Sequence, residues 1–288
     1  AYAAFIAEAA ANSIVDVDDA MKLGYAWKTG PFELMDAIGV DALISMLEQD
    51  GVEIPALLKK AAGKSFYKIE DGDLYFLGFD GEYAKVTRPD GVILLEDIKR
   101  ISERIAGNRA ASLWDIGDGV ACLEFHTKMN ALDADVLGMV KTSIRTVKKQ
   151  FKAMVIYNEG SNFSAGANLG LALFAANIAA WPEIENLVET GQETYKALKY
   201  SPFPVVGAPS GLALGGGCEV LLHCDAVHAH GETYIGLVEP GVGLIPAWGG
   251  CKEMIRRWAE NPKFVKGPMA PSAKAFEIIS VATVAKSA

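Results

Sequence analysis

From Ala111 onward, short apolar segments of strand length alternate with stretches of helical periodicity, and this rhythm limits the second part of the chain to an α/β layer arrangement. Strands are expected over Val120 to Phe125, Ala153 to Tyr157, Val205 to Ala208 and Ala226 to His230. Helices are expected over Ala134 to Lys149 and over Pro182 to Leu198, the latter with Ile184, Leu187, Val188, Tyr195 and Leu198 at helical spacing. A glycine-rich stretch from Gly207 to Gly217 opens a further helix through Cys224.

Ahead of Gly107-Asn108 the pattern is helical. Asp16 is placed to cap a helix over Val17 to Leu23, a second helix follows Gly30-Pro31, and Asp41 to Gln49 forms a third. Ser65 to Phe79 alternates apolar and polar residues around Asp71-Gly72, a hairpin signal. A polar, turn-rich Gly78 to Gly91 and a connecting helix over Leu94 to Ile105 complete this part. A chain of 288 residues holds two domains of ordinary size, here expected as 1-108 and 109-288. It starts at Ala1-Tyr2 in a helical pattern and stops at Ala288 in another, so a piece excised from a longer protein is expected.

The formal charge of −9 argues against nucleic acid or an anionic membrane surface as partner, since both call for basic patches. Cys122, Cys218, Cys224 and Cys251 show no CxxC pairing and read as reduced thiols of a cytoplasmic protein. The apolar run Leu169 to Trp181 is too short for a bilayer crossing of about 20 residues, and reads as a buried or pocket-lining helix.

Three features carry possible chemistry. Gly215-Gly216-Gly217 precedes a helix start at Cys218-Glu219, where free amides and the helix dipole favour an oxyanion, although such glycines also make ordinary tight turns. The small-residue turn Ser164-Ala165-Gly166-Ala167-Asn168 can present a second outward amide. Glu219 and Glu239 are carboxylates in apolar surroundings; Pro240 biases Glu239 to an extended backbone, and Val238, Val242, Leu244 and Ile245 suggest its burial. If they converge, one can accept a proton from water while the other delivers one to carbon. His228 and His230 lack a third metal ligand, Cys224 lacks a triad partner, and Lys148-Lys149 and Arg256-Arg257 read as solvated helix faces, so no metal or nucleophile site is assigned.

Five motifs in order, HTKMNAL (His126 to Leu132), FSAGANL (Phe163 to Leu169), GLALGGGCE (Gly211 to Glu219), Cys224-Asp225 and GLVEPGVGLIP (Gly236 to Pro246), resemble the crotonase (enoyl-CoA hydratase/isomerase) superfamily from about Ser112 to the end. The resemblance implies a ββα spiral core, with the Ala167 and Gly216 amides as oxyanion hole and Glu219 and Glu239 as catalytic acids. It further implies that Met129 and Ala131 lie along the CoA moiety and that Ala165 contacts the adenine end. Two departures stand out: Asn168-Leu169-Gly170 lacks the basic CoA contact of many relatives, and Trp248 stands where small residues are usual, which shortens or covers the acyl pocket. The family's last helices are expected beyond Ala288.

The first domain resembles the all-α C-terminal domain of 3-hydroxyacyl-CoA dehydrogenases, through Val17 to Asp41 and the GKSFYKI stretch from Gly63. The dinucleotide-binding half of that family is not in this sequence, so NAD would belong elsewhere and no cofactor is expected here. Together the two resemblances imply part of a multifunctional fatty acid β-oxidation protein, acting on an acyl-CoA thioester as a homo-oligomer. Hydration of trans-2-enoyl-CoA is the expected reaction; the alternatives are double-bond isomerisation with Glu239 as principal carboxylate, and a non-catalytic oligomerisation module.

Overall fold

Small polar residues and prolines set where the early helices begin. The computed structural model describes residues 1–287, and the chain divides into two units, Ala1–Ile101 and Ser102 onward. The first unit runs α1 (Tyr2–Ala10), α2 (Ile14–Tyr25), α3 (Pro31–Ile38), α4 (Val40–Gln49) and α5 (Ala56–Lys60). An antiparallel sheet follows, made of β1 (Tyr67–Glu70), β2 (Asp73–Leu77) and β3 (Tyr83–Lys85), and then α6 (Leu95–Ile101).

Helix α2 starts a turn earlier than Asp16 suggests, because Ser13 Oγ accepts from the Asp16 N–H at 3.2 Å and Ile14 is buried completely in the core. The buried Asp18 caps α3 from a neighbouring helix: its carboxylate accepts from Phe32 N at 2.8 Å, Glu33 N at 3.1 Å and Tyr67 Oη at 2.8 Å. The expected hairpin is β1–β2, with Asp71 at φ 51° and Gly72 at φ 83°, a turn that requires positive φ at both central residues. Helix α6 ends at Ile101, short of Ile105, since the Ile105 amide is bonded to Leu113 O at 2.8 Å. The change of unit therefore precedes the shift in composition at Gly107-Asn108.

The second unit contains β4 (Ala106–Gly107), β5 (Ala111–Asp115), β6 (Val120–Phe125), α7 (Ala134–Gln150), β7 (Ala153–Ile156) and β8 (Asn162–Ser164). It continues with α8 (Leu169–Asn177), α9 (Trp181–Lys199), β9 (Val205–Gly207), β10 (Gly211–Leu214), α10 (Gly216–Leu222), β11 (Ala226–Val227) and β12 (Thr233–Gly236). Last come α11 (Gly250–Glu260) and α12 (Ala270–Ser280). One sheet has the order β11-β9-β7-β6-β5-β4, parallel from β6 through β11 and antiparallel at its β5 and β4 end. The other is a parallel sheet of order β12-β10-β8.

Asp133 caps α7 through the Val136 amide at 2.9 Å, and Val136, Leu137, Val140 and Val147 form its buried stripe. These side chains pack with Leu113, Leu123, Met154, Ile156, Val205 and Tyr195 in the main core. Of the two readings of Leu169 to Trp181, buried or pocket-lining, burial is not what the fold does: in α8 only Ala175 is buried, while Leu171, Leu173 and Phe174 are exposed. An apolar composition on every side has no single face to bury, so sequence periodicity cannot assign one. After α12 the chain is not helical; Ala282 takes φ 51° and Ala285 forms an antiparallel bridge to Ile235 at the edge of the small sheet. Among the described residues no helix is long and apolar enough to cross a membrane.

Candidate active site

The C-terminal ends of the three small parallel strands converge, and each delivers one part of the site. Strand β8 leads into the turn carrying Ala167, β10 into Gly215 and α10, and β12 into Glu239, which opens a 3₁₀ turn over Glu239–Val242. At three or four residues apiece, such strands are too short to declare themselves by alternation.

The turn after β8 is held from one side. Leu132 N donates to Gly166 O at 2.9 Å and Asn168 N donates to Leu132 O at 2.9 Å, so the Ala167 amide between them points the other way. Gly166, at φ 94°, lies against the next turn: a Cβ there would be 2.8 Å from Leu214 O and 3.3 Å from Gly216 N. Gly216 is the first residue of α10, where amides have no intrahelical partner. Among the described residues, neither the Ala167 nor the Gly216 amide donates to a protein acceptor. The Gly216 carbonyl, by contrast, is fixed by the buried Tyr195 hydroxyl, which donates to it at 3.0 Å.

Glu219 lies one helical turn further on and is 2% exposed. One carboxylate oxygen, Oε1, accepts from Trp248 N at 3.0 Å and from Gly250 N at 2.8 Å. A Cβ on Gly250 would lie 3.0 Å from that oxygen and 2.8 Å from Leu237 Cδ2, which is why the turn before α11 can come so close. Burial pushes the Glu219 carboxyl up to about 7, aided by the Glu239 charge and opposed by the Gly250 and Trp248 amides.

Glu239 faces Gly215, whose would-be Cβ is 3.3 Å from Glu239 Oε1. Its Oε2 is buried and has no hydrogen-bond partner among the described residues, and burial raises its pKa too. Three of the apolar neighbours that suggested this burial, Val242, Leu244 and Ile245, are exposed, and the carboxyl lies instead against Gly215, between β10 and α10. Two carboxyls whose proton affinity is raised by burial, set beside a helix start with free amides, can act as a base and an acid.

The remaining sequence-derived positions are spread around this centre. Met129, at φ 56°, is exposed, and its carbonyl accepts from Ala165 N at 3.1 Å, so these two residues join the 127–132 loop to the Ala167 turn. Ala131 lines a shallow cavity with Arg109, Thr127, Lys128 and Asn168. Arg109 and Lys128 are cations at that cavity that sequence reading passed over, because an isolated basic residue carries no periodic signal. Trp248 belongs to the buried core, edge-on to Tyr195 with ring centroids 5.5 Å apart. Its ring would be 3.0 Å from a Cβ on Gly216 and 2.1 Å from one on Gly191. Cys224 is buried, its thiol pushed up to about 12 by burial, and it donates to Val220 O. His228 and His230 are exposed beyond β11, and among the described residues no group of three or more His, Cys, Asp or Glu is placed to hold a metal ion.

A parallel sheet whose strand ends present two unbonded amides and two carboxyls with raised pKa defines a crotonase-class α/β protein. Residues 115–261 match the family model for enoyl-CoA hydratase/isomerase, and the chain belongs to that family. Residues 1–68 match the model for the C-terminal domain of 3-hydroxyacyl-CoA dehydrogenase. The chain is 40% identical over its full length to a probable 3-hydroxyacyl-CoA dehydrogenase of Bacillus subtilis, covering 36% of that protein. Over 92% of its length it is 35% identical to a putative fatty acid oxidation complex trifunctional enzyme of Rickettsia felis, covering 34% of it. It thus spans about a third of the length of the curated relatives it matches. The crystal structure of an enoyl-CoA hydratase from Bacillus anthracis superposes with a TM-score of 0.51 at 22% identity, covering 61% of this chain and 64% of that one, a likeness of fold.

Proposed function

We propose that the second unit adds water across the double bond of a trans-2-enoyl-CoA to give a 3-hydroxyacyl-CoA. The thioester oxygen sits between the Ala167 and Gly216 amides, which hold the negative charge that develops on it as water attacks the β-carbon. Of Glu219 and Glu239, the ionised one takes a proton from the attacking water and the protonated one gives a proton to the α-carbon, so one molecule of water is added in all. The observation that carries this reading is the placement of Glu239 against Gly215, at the helix start that also bears the Gly216 amide and Glu219. Ala131, Met129 and Ala165 line the approach of the CoA moiety, with Lys128 and Arg109 near enough to meet its phosphates. In the whole protein, a dehydrogenase half using NAD would oxidise the 3-hydroxyacyl product next, consistent with the first unit's family match.

The chain is expected to consume crotonyl-CoA with loss of the conjugated thioester absorbance, and to bind acetoacetyl-CoA with saturable heat in calorimetry. The absence of both hydration and saturable binding would refute the proposal; migration of the double bond without hydration would assign isomerisation instead.

Trp248 limits the acyl pocket, because its ring covers Gly216. Trp248→Ala is therefore expected to raise kcat/KM for long-chain relative to short-chain enoyl-CoA by roughly tenfold, within the range that hydrophobic pocket contacts discriminate. A flat ratio across a chain-length panel would remove Trp248 from this role.

A further inference from the structure

Next to Glu219 lies a second polar cluster that the hydration chemistry does not use. His223 follows α10 directly and is 1% exposed. Its Nδ1 lies 2.7 Å from the main-chain carbonyl of Glu219. A carbonyl only accepts, so Nδ1 carries the proton, and burial disfavours a second proton on Nε2. The His223 main-chain amide goes to Val220 O at 3.0 Å, which leaves the ring to serve the Glu219 carbonyl.

The same ring backs the turn that grips the Glu219 side chain. A Cβ on Gly249 would lie 2.9 Å from His223 Cε1 and Nε2, so ring and turn are in direct contact. The residues flanking Gly249 are Trp248 and Gly250, whose amides hold the Glu219 carboxylate. His223 thus touches both ends of Glu219, the main chain directly and the carboxylate through one turn. Beyond it, Nε2 lies 3.9 Å from Oε1 of Glu253, too far for a hydrogen bond; Glu253 is a buried carboxylate in the first turn of α11. Glu253 is itself held by Lys199 from α9 and by Lys252 at 3.1 Å and Arg256 at 3.0 Å from α11. The Glu219 charge is coupled electrostatically to Glu239, Tyr195 of α9, Cys218 and Cys251.

We propose, resting on the hydratase reading of Glu219, that His223 is a positioning residue for that carboxylate: Nδ1–H fixes the Glu219 main chain, and the ring, packed against Gly249, keeps the 248–250 turn in place against the carboxyl. Three variants of the full chain test it, each followed by crotonyl-CoA hydration and by NMR titration of the Glu219 carboxyl carbon. His223→Leu should lower kcat about 10- to 100-fold with KM within about threefold, the signature of a misplaced catalytic group. Its Glu219 titration should move upward, because loosened amides no longer favour the charged carboxylate. His223→Asn puts an amide nitrogen near the Nδ1 position and should recover most of both readouts. His223→Gln places its nitrogen near Nε2 and should not.

Equal behaviour of the Asn and Gln variants, or wild-type kcat and titration in the Leu variant, would overturn the assignment. If the Leu variant does not fold, the Asn and Gln comparison decides alone. Glu219→Gln separates the two levels: hydration that survives it sinks the hydratase reading itself, whereas hydration lost there but untouched by the His223 variants sinks only the positioning role.

Discussion

Replacing Glu219 by Gln is expected to lower kcat for enoyl-CoA hydration about 10²- to 10⁴-fold, the usual contribution of one acid–base group. Glutamine keeps an oxygen for the Trp248 and Gly250 amides, so the turn should stay in place and acetoacetyl-CoA should bind within a few-fold of wild type. The same variant carries a stability signature. The carboxyl titrates at about 7 in the folded chain against an ordinary 4.5, so between those values the folded state holds a proton that the unfolded state has released. Stability therefore falls as pH rises across that window, and the loss is complete above it. At roughly 1.4 kcal/mol per pKa unit the loss is on the order of 3 kcal/mol. The Gln variant should lack this slope and exceed wild type in urea midpoint at about pH 8. A variant that hydrates normally, or a wild-type midpoint independent of pH across that window, would contradict these expectations.

The second large effect is expected at Glu253. Burial opposes its charge, yet hydrogen bonds from Lys199, Arg256 and Lys252 outweigh that and bring its carboxyl down to about 2. Glu253→Gln should destabilise the chain by about 1 to 3 kcal/mol at neutral pH, the cost of losing charge-assisted hydrogen bonds between a buried carboxylate and three partly exposed cations. In wild type, the stabilisation from this group is fully present above the ordinary value of 4.5 and is lost as pH falls toward about 2. Denaturant unfolding at neutral and acid pH checks both statements, and a neutral-pH change below about 1 kcal/mol would show the cluster to be no more than a surface-strength ion pair.

Much of the second unit was legible beforehand because its elements are long enough to carry a period. The strand at Val120 and the helices from Ala134 and from Pro182 are found within a residue or two of their expected limits. The small sheet was not legible, since β8, β10 and β12 are too short to alternate. Nor was the surroundings of Glu219: the Trp248 and Gly250 amides, the Tyr195 hydroxyl and the His223 ring belong to backbone or to residues whose types give no functional signal. Arg256, read as part of a solvated basic pair, instead bonds a buried carboxylate. The exposed apolar surface of α8 marks the opposite failure, in which hydrophobicity without direction was taken for burial.

Sequence alone determined the chemical parts: glycines where backbones meet closely, small residues in the Ala167 turn, two glutamates, and a strand and helix rhythm that permits one kind of layer packing. Only tertiary structure decided that the two turns face each other, that Glu239 reaches Gly215, and that burial raises the proton affinity of both carboxyls. The physical reason is that spacing along a chain encodes local geometry. Amide direction and proton affinity instead depend on what is packed alongside, and those neighbours come from strands, turns and helices far apart in the sequence.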